Sequence, residues 1–138
     1  MSEAGQDWMQ WGAAAGEDPA VTAFAAGGAL VLWDAASGRP GFMNPAGRAL
    51  LGAEPAAAAL PAPTRQRLSL LAGGLASASG LRLERLRLTT GFTAAPVTCG
   101  VKLLTRDDGR TVLAIAVPAS ELRGLGVTVP PGASPPPA

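Results

Sequence analysis

The sequence predicts an α+β fold in which helices pack on one face of a five-stranded antiparallel sheet. Two observations carry this prediction: the order of the periodic segments, and the turn residues that separate them. From Ala29 to Val117 the order is strand, strand, helix, helix and then three strands. Strands joined by short turns form antiparallel sheets, and amphipathic helices can then cover one face of the sheet.

The opening hairpin and the helix after it have strong local signals. The apolar run Ala29–Trp33 and the short segment Gly41–Met43 are separated by turn residues at 37–40, which is typical of a hairpin. Asn44 is expected to cap the next helix because its side chain can accept a hydrogen bond from a backbone N–H. Pro45 suits the first helical position, where no N–H is needed.

A second helix is predicted at Thr64–Ala76. Apolar residues recur there with helical spacing, at Leu68, Leu71, Ala72 and Leu75. The adjacent Gly73 and Gly74 are expected to destabilise its last turns by about 1 kcal/mol each.

Three closing strands are predicted at Leu81–Thr90, Pro96–Thr105 and Thr111–Val117. In the first, the leading pair of leucines and the trailing pair have opposite parity. A bulge is therefore expected near Glu84-Arg85, unless the strand begins there. The second strand alternates cleanly, and its apolar face is made of Val97, Cys99, Val101 and Leu103.

Composition argues against several kinds of site. The 138 residues include no histidine and a single cysteine, Cys99. Ser-His-Asp and Cys-His catalysis, the phosphoacceptor of a histidine kinase and histidine-ligated haem all need histidine, and one cysteine cannot complete a zinc site. No nucleophile–base or paired-acid constellation can be assembled from the other residues, so we expect neither an enzyme nor a metal centre.

Charge is distributed unevenly along the chain. The totals, 11 basic and 10 acidic residues, give no argument for nucleic-acid binding. Residues 1–38 nevertheless contain five acids and no base, so all the basic residues lie in the remainder of the chain. A split of this kind can orient two surfaces or two partners.

The two ends are expected to differ from the domain between them. Residues 1–26 are interpreted as a leader that is either partly helical, with Asp7 as a cap, or disordered. In the helical case, Trp8 and Trp11 would dock it on this domain or on a second copy. Residues 119–138 are rich in glycine and proline and are expected to form a disordered tail.

We see no signal peptide and no apolar stretch of about 20 residues, so we expect a cytoplasmic protein without membrane contact.

Three short motifs lie around the first predicted helix: Leu30–Asp34, Gly38-Arg39, and Phe42–Gly52, in which an Asn-Pro-Ala step joins strand to helix. Together they resemble the opening of a PAS domain of the kind found in bacterial sensor histidine kinases. The closing strands are similar to the last strands of such modules. The resemblance covers about residues 27–118.

The PAS resemblance implies a non-catalytic module for signal transduction of the two-component type. Such a module senses a small molecule, or forms a dimer with a second copy or with another PAS or kinase protein. The cofactor is left open, although histidine-ligated haem and a cysteinyl-flavin adduct are not expected, because the residues and the motif that they need are absent. The chain departs from sensor kinases in having no phosphoacceptor helix and no ATP-binding domain.

Five residues are candidates for lining a ligand pocket: Trp33, Phe42, Asn44, Cys99 and Val101. The two aromatic residues lie on adjacent predicted strands, and Asn44 adjoins the loop that helps to wall the cavity in PAS relatives. Cys99 and Val101 share one strand face. Each candidate also has a structural interpretation, as core packing, as a helix cap or, for Cys99, as an inert buried thiol.

Four further residues are candidates for partner contact: Trp8, Trp11, Arg85 and Arg87. The two arginines form either a basic strip or a solvated strand face, and no aromatic residues interleave them, which argues against nucleic acid. Two alternative functions stay open. One is a ligand-free interaction scaffold that acts through the leader and the arginines, and the other is a roadblock- or profilin-like adaptor, whose fold also packs helices against five strands.

Overall fold

The computed structural model describes residues 3–51, 60–88, 96–106 and 109–125. These residues form helices α1 (Glu3–Gly16), α2 (Pro19–Ala25), α3 (Pro45–Leu51), α4 (Ala62–Leu70) and α5 (Ala119–Gly124). The strands are β1 (Ala29–Asp34), β2 (Arg39–Met43), β3 (Arg82–Arg87), β4 (Pro96–Thr105) and β5 (Thr111–Val117). One π-helical turn, Leu71–Leu75, extends α4.

The five strands form a single antiparallel sheet in the order β2-β1-β5-β4-β3. The first and last strands meet in its centre, where β1 pairs with β5 from Ala29↔Val117 to Trp33↔Leu113. The predicted fold class is confirmed: the chain is α+β with a five-stranded antiparallel sheet, which is consistent with a PAS-like arrangement. The helices, however, pack on both faces of the sheet and not on one face as predicted. The strands β2 and β3 are left at the two edges.

One face of the sheet, called the inner face here, carries the larger core. The alternation of each strand places its buried apolar side chains on this face, where α3, α4 and α5 cover them. Its fully buried side chains include Val31, Trp33, Leu68, Leu71, Cys99, Val101, Leu113 and Ile115. Burying one leucine-sized side chain contributes about 1.5–3 kcal/mol, so this layer supplies most of the hydrophobic stabilisation.

The other face, called the outer face, is covered by the leader. Trp11 and Ala15 of α1, and Val21 and Ala25 of α2, pack on side chains that project outward from β1, β4 and β5. The residues beneath them on β5 are small, Ala114 and Ala116 among them, so the helices can approach the sheet closely. The helical alternative for the leader is therefore the observed one, and it docks on its own domain.

The two chain ends differ in detail from the sequence predictions. Asp7 does not cap α1, because this helix begins at Glu3 and Asp7 lies in its second turn. Residues 119–124, which the composition predicts as part of a disordered tail, instead form α5, where Leu122 is 1% exposed and packs into the inner core. Residues 126–138 lie outside the described residues.

The strand β3 resolves the leucine parity conflict without a bulge. Its register with β4 is unbroken from Arg82↔Val101 to Arg87↔Pro96, so the predicted bulge near Glu84-Arg85 is wrong. Leu86 is buried on the inner face, whereas Leu83 projects from the outer face and is 62% exposed. The chain therefore accepts one exposed leucine in place of an irregular strand.

The second predicted helix ends earlier than its pattern indicates. The α-helical part ends at Leu70, and the π-helical turn that follows contains Gly74 at φ 132°, a conformation that favours glycine. Leu68 and Leu71 are fully buried as predicted, but Leu75 lies beyond the change in helical pitch and is 43% exposed.

Candidate functional site

The helix α1 is seated on β2 through two glycines. A Cβ atom at Gly41 would overlap the ring of Trp8, and a Cβ atom at Gly12 would lie 2.5 Å from the ring of Phe42. Gly41 is also the unpaired residue of a bulge in β2, since Leu32 pairs with Phe42 and the next residue of β1 pairs with Pro40. Each aromatic ring thus occupies the space that a side chain on the opposing element would need.

Ion pairs join the leader to Lys102 of β4 and to Arg106 and Arg110, which lie between β4 and β5. Asp18 accepts a hydrogen bond of 2.6 Å from Lys102 Nζ, and both side chains are largely buried. Asp7 accepts from Arg106, and at 2.7 Å from Arg110. The guanidinium of Arg106 also lies 5.1 Å from the ring centroid of Trp11. The acidic leader therefore docks on the basic end of the β4–β5 hairpin, which gives the charge split a physical meaning.

These contacts lower the pKa of the two aspartate carboxyl groups of the leader, Asp7 and Asp18. Hydrogen bonds from Arg106 and then Arg110 hold the pKa of Asp7 below its ordinary value. Burial alone would raise the pKa of Asp18, but the hydrogen bond from Lys102 and those from the backbone outweigh it, so this pKa is lowered as well. Both groups are therefore ionised near neutral pH, which favours the docked leader.

Asp18 also organises the entry to α2. Its side chain caps the helix by accepting from the backbone N–H groups of Ala20 at 3.0 Å and Val21 at 3.2 Å. Pro19 takes the first helical position. After α2, the backbone of Gly28 lies against the carbonyl oxygen of Val117, where a side chain has no room. The leader is thus tied to the sheet at both ends of α2.

A crevice of about 290 Å³ opens at one side of the contact between the leader and the sheet. Its walls come from α1, α2, the start of β1 and the β2–α3 junction, and they include Gly12, Gly16, Val21, Thr22, Phe42 and Asn44. Most of this wall is apolar or backbone, with Thr22 and Asn44 as its polar side chains. The volume lies at the lower end of the range for small-molecule sites.

Asn44 joins the crevice to the framework of the domain. Its Oδ1 accepts from the backbone N–H of Gly47 at 2.8 Å, which is the predicted helix cap, and from Leu30 N–H at 2.9 Å. Its Nδ2 donates to the carbonyl oxygen of Gly28 at 3.1 Å. The second hydrogen on Nδ2 has no acceptor among the described residues and can bind a ligand oxygen.

The structure divides the five predicted pocket residues into two groups. Phe42 and Asn44 line the crevice together. Trp33, Cys99 and Val101 are each 0% exposed in the inner core, on the opposite side of the sheet. Burial, and next the charge of Glu121, raises the pKa of the Cys99 thiol to about 12, in keeping with its interpretation as an inert core residue.

The four predicted partner residues also separate. Trp8 and Trp11 hold the leader against its own sheet, and Trp11 is only 1% exposed. Arg85 and Arg87 are exposed on β3.

Among the described residues, the indole N–H of Trp11 and that of Trp33 have no hydrogen-bond acceptor, which costs about 1–3 kcal/mol for each such buried group.

A larger groove of about 700 Å³ lies at the far end of the outer face, lined by Asp7, Trp8, Asp34 and Arg110 among others. Its most prominent charges, Asp7 and Arg110, already satisfy one another. An ionic ligand would have to break that pair, so this groove is the weaker candidate.

Several residues of the site could not be identified from sequence. Lys102, Arg106 and Arg110 matter because of where the leader lies, and only the charge split hinted at their role. The glycines of α1 had a signal that could have been used: Trp8, Trp11, Gly12 and Ala15 share one helical face.

The described residues lack two further features. They contain no group of three or more side chains that could hold a metal ion. Among their helices, none combines the length and apolar character needed to cross a membrane. Comparison of the chain with protein families, with curated proteins and with solved structures finds no match.

Proposed function

We propose that the chain is a non-catalytic PAS-type signalling module of the bacterial cytoplasm, which binds a small, largely apolar ligand in the crevice between its leader and its sheet. The observation that carries the proposal is the composition of the crevice wall. Part of the wall belongs to α1 and α2, and part belongs to Phe42 and Asn44 at the β2–α3 junction. A ligand there touches both the leader and the domain.

This shared wall supplies a route for signalling. A ligand can shift a conformational equilibrium only if it binds one state better than the other. The crevice exists only while the leader is docked, so any ligand that fills it stabilises the docked state. The leader then reports occupancy to a second copy or to a kinase-type partner, in the manner of a two-component system.

The wall also defines the ligand class. Val21, Ala25, Leu30 and Phe42 offer apolar surface, and the free N–H of Asn44 offers one donor. The complementary ligand is a small ring or branched chain with a single acceptor oxygen. A probe of about ten heavy atoms should gain roughly 4 kcal/mol, which corresponds to a dissociation constant on the order of 1 mM.

The test uses 4-fluoroacetophenone, which has an apolar ring, one carbonyl acceptor and a fluorine for NMR detection. We expect saturable broadening of its fluorine signal, together with amide shifts at Thr22, Gly28 and the Asn44 side chain. A Gly16→Leu variant should lose this binding. Gly16 lines the crevice, and no atom lies within 4 Å of its Cβ position, so a leucine side chain has room there and would occupy the space of the probe.

Gly73→Leu is the matched control, since Gly73 is also exposed with open space at its Cβ position but lies outside the crevice. It should bind the probe as the wild type does. Equal binding by Gly16→Leu and the wild type would contradict the proposal. A chain that binds neither this probe nor any co-purified small molecule would favour the ligand-free scaffold or the roadblock- or profilin-like adaptor.

A further inference from the structure

The two edges of the sheet are protected to different degrees. The edge strand β2 contains Pro40, has a bulge at Gly41 and lies against α1. The edge strand β3 contains neither proline nor bulge. Within the described part of the chain, no strand pairs with β3 on the side away from β4. Unpaired backbone groups on a regular edge are a template for pairing with another strand.

Two hydrogen bonds show which backbone groups of β3 face the open edge. The N–H of Thr98 donates to Glu121 on the side away from β3, so the pair Arg85↔Thr98 is not hydrogen-bonded. The carbonyl oxygen of Arg87 also points away from β4 and accepts from Thr64 Oγ1, so α4 covers the edge at this end of β3. Since alternate residues of a strand point the same way, the N–H and C=O groups of Leu83 and Arg85 face the open edge.

The side chains of β3 restrict what can pair there. Leu83, the second residue of the strand, is 62% exposed on the outer face. On the inner face, Glu84 accepts from Arg67 at 2.7 Å and from Arg82 at 2.9 Å. The outer face of the strand therefore carries one apolar side chain, Leu83, next to Arg85, and the inner face carries the opposite charges of Arg82 and Glu84.

We propose that β3 pairs antiparallel with β3 of a second copy of this chain, with Leu83 opposite Leu83 on the two-fold axis. In this register Arg82 faces Glu84 of the second copy. Two N–H···O=C bonds join the Leu83 pair, and each of the two Arg85–Leu81 pairs adds two more, although Leu81 lies one residue before β3, so about six bonds join the two sheets. Shifting the pairing by two residues places Glu84 opposite Glu84, and a further shift places Arg85 opposite Arg85. Like charges directly opposite one another are destabilising, so the Leu83 register is the complementary one.

The first measurement is sedimentation equilibrium of the full chain. The paired region is short, so we expect a weak dimer that is populated at about 0.1–0.5 mM. Leu83→Lys places two like charges on the axis and should weaken association at least tenfold. Leu70→Lys is the matched control, because Leu70 on α4 is equally exposed, at 62%, and should leave the dimer unchanged.

Cysteine cross-linking tests the register itself. Opposite residues of a hydrogen-bonded antiparallel pair have Cα atoms about 5.5 Å apart, a distance that a disulfide can span. Leu83→Cys should therefore form a covalent dimer under mild oxidation, and Arg85→Cys should not. A chain that stays monomeric at 0.5 mM, or one in which Arg85→Cys cross-links faster than Leu83→Cys, overturns the proposal. Neither result depends on whether the crevice binds a ligand.

Discussion

Removing the carboxylate of Asp18 is the sharpest test of how the leader is held. This side chain performs two tasks, since it caps α2 through Ala20 and Val21 and forms the ion pair with Lys102. A helix N-cap contributes about 1 kcal/mol. The ion pair contributes roughly 1 kcal/mol more once solvent screening is considered. Asp18→Ala should therefore destabilise the chain by roughly 2 kcal/mol.

Two further variants separate the tasks. Asp18→Asn keeps a good capping side chain but loses the charge, so it should cost about 1 kcal/mol. Glu17→Ala removes the same charge from the neighbouring exposed residue, which caps nothing, and should change stability by less than about 0.5 kcal/mol. Urea unfolding, followed by circular dichroism and by tryptophan fluorescence, gives the three free energies of unfolding.

The order of the three variants decides the matter. We expect Glu17→Ala to be closest to the wild type, Asp18→Asn to be intermediate and Asp18→Ala to be the least stable. If Glu17→Ala and Asp18→Ala lose equal stability, the effect is one of net charge and the described contacts of Asp18 do not hold the leader. If Asp18→Asn equals the wild type, the ion pair with Lys102 contributes nothing.

Three more predictions follow from the same contacts. The pKa values of Asp7, Asp18 and Glu84 are lowered in the folded chain. The stability that these groups contribute is therefore present above about pH 4 and is lost as the pH falls through their folded pKa values. Urea midpoints measured between pH 2 and 6 should fall with the pH, and midpoints that stay constant would refute this. The Cys99 thiol, with its pKa raised to about 12, should resist a maleimide at pH 7.5 until the chain unfolds, and labelling of the native chain at the rate of the unfolded chain would disprove this burial. Because the thiol ionises more easily in the unfolded chain, the free energy of unfolding should fall as the pH rises above about 9. Asn44→Ala loses two accepted bonds and one donated bond and should cost about 2–4 kcal/mol in urea unfolding, whereas a cost below 1 kcal/mol would mean that Asn44 does not join β1 to α3.

The local signals were sufficient for most of the sheet. β4 and β5 begin and end where their alternation and turns predict. The cap at Asn44 is present as predicted, because its side chain accepts from a backbone N–H of the first helical turn and Pro45 needs no N–H at the first helical position. The sequence failed where two local preferences competed. In β3 the leucine parity favoured a bulge, but continuous pairing with β4 gains more than burying Leu83, so the strand stays regular.

The site was harder to predict because it depends on contacts between distant segments. Phe42 and Asn44 are predicted as pocket residues, but the other wall of the crevice comes from the leader, between Gly12 and Ala25. Trp33 is a candidate because it is a bulky aromatic residue on the predicted strand next to that of Phe42, and Cys99 and Val101 are candidates because they share one strand face. Strand alternation assigns these three to the inner face and Phe42 to the outer face, and sequence alone did not show which face would hold a cavity.

Docking of the leader on its own sheet is the claim on which the crevice and the proposed signalling route depend, and NMR can test it directly. The ring of Trp8 occupies the space beside the Cα of Gly41, so the Gly41 Hα protons should be shifted upfield by the ring current and should give strong NOEs to the indole. In a mixture of labelled and unlabelled chains these NOEs should be intramolecular. Gly41 Hα shifts at random-coil values, or NOEs that arise only between two chains, would contradict the account.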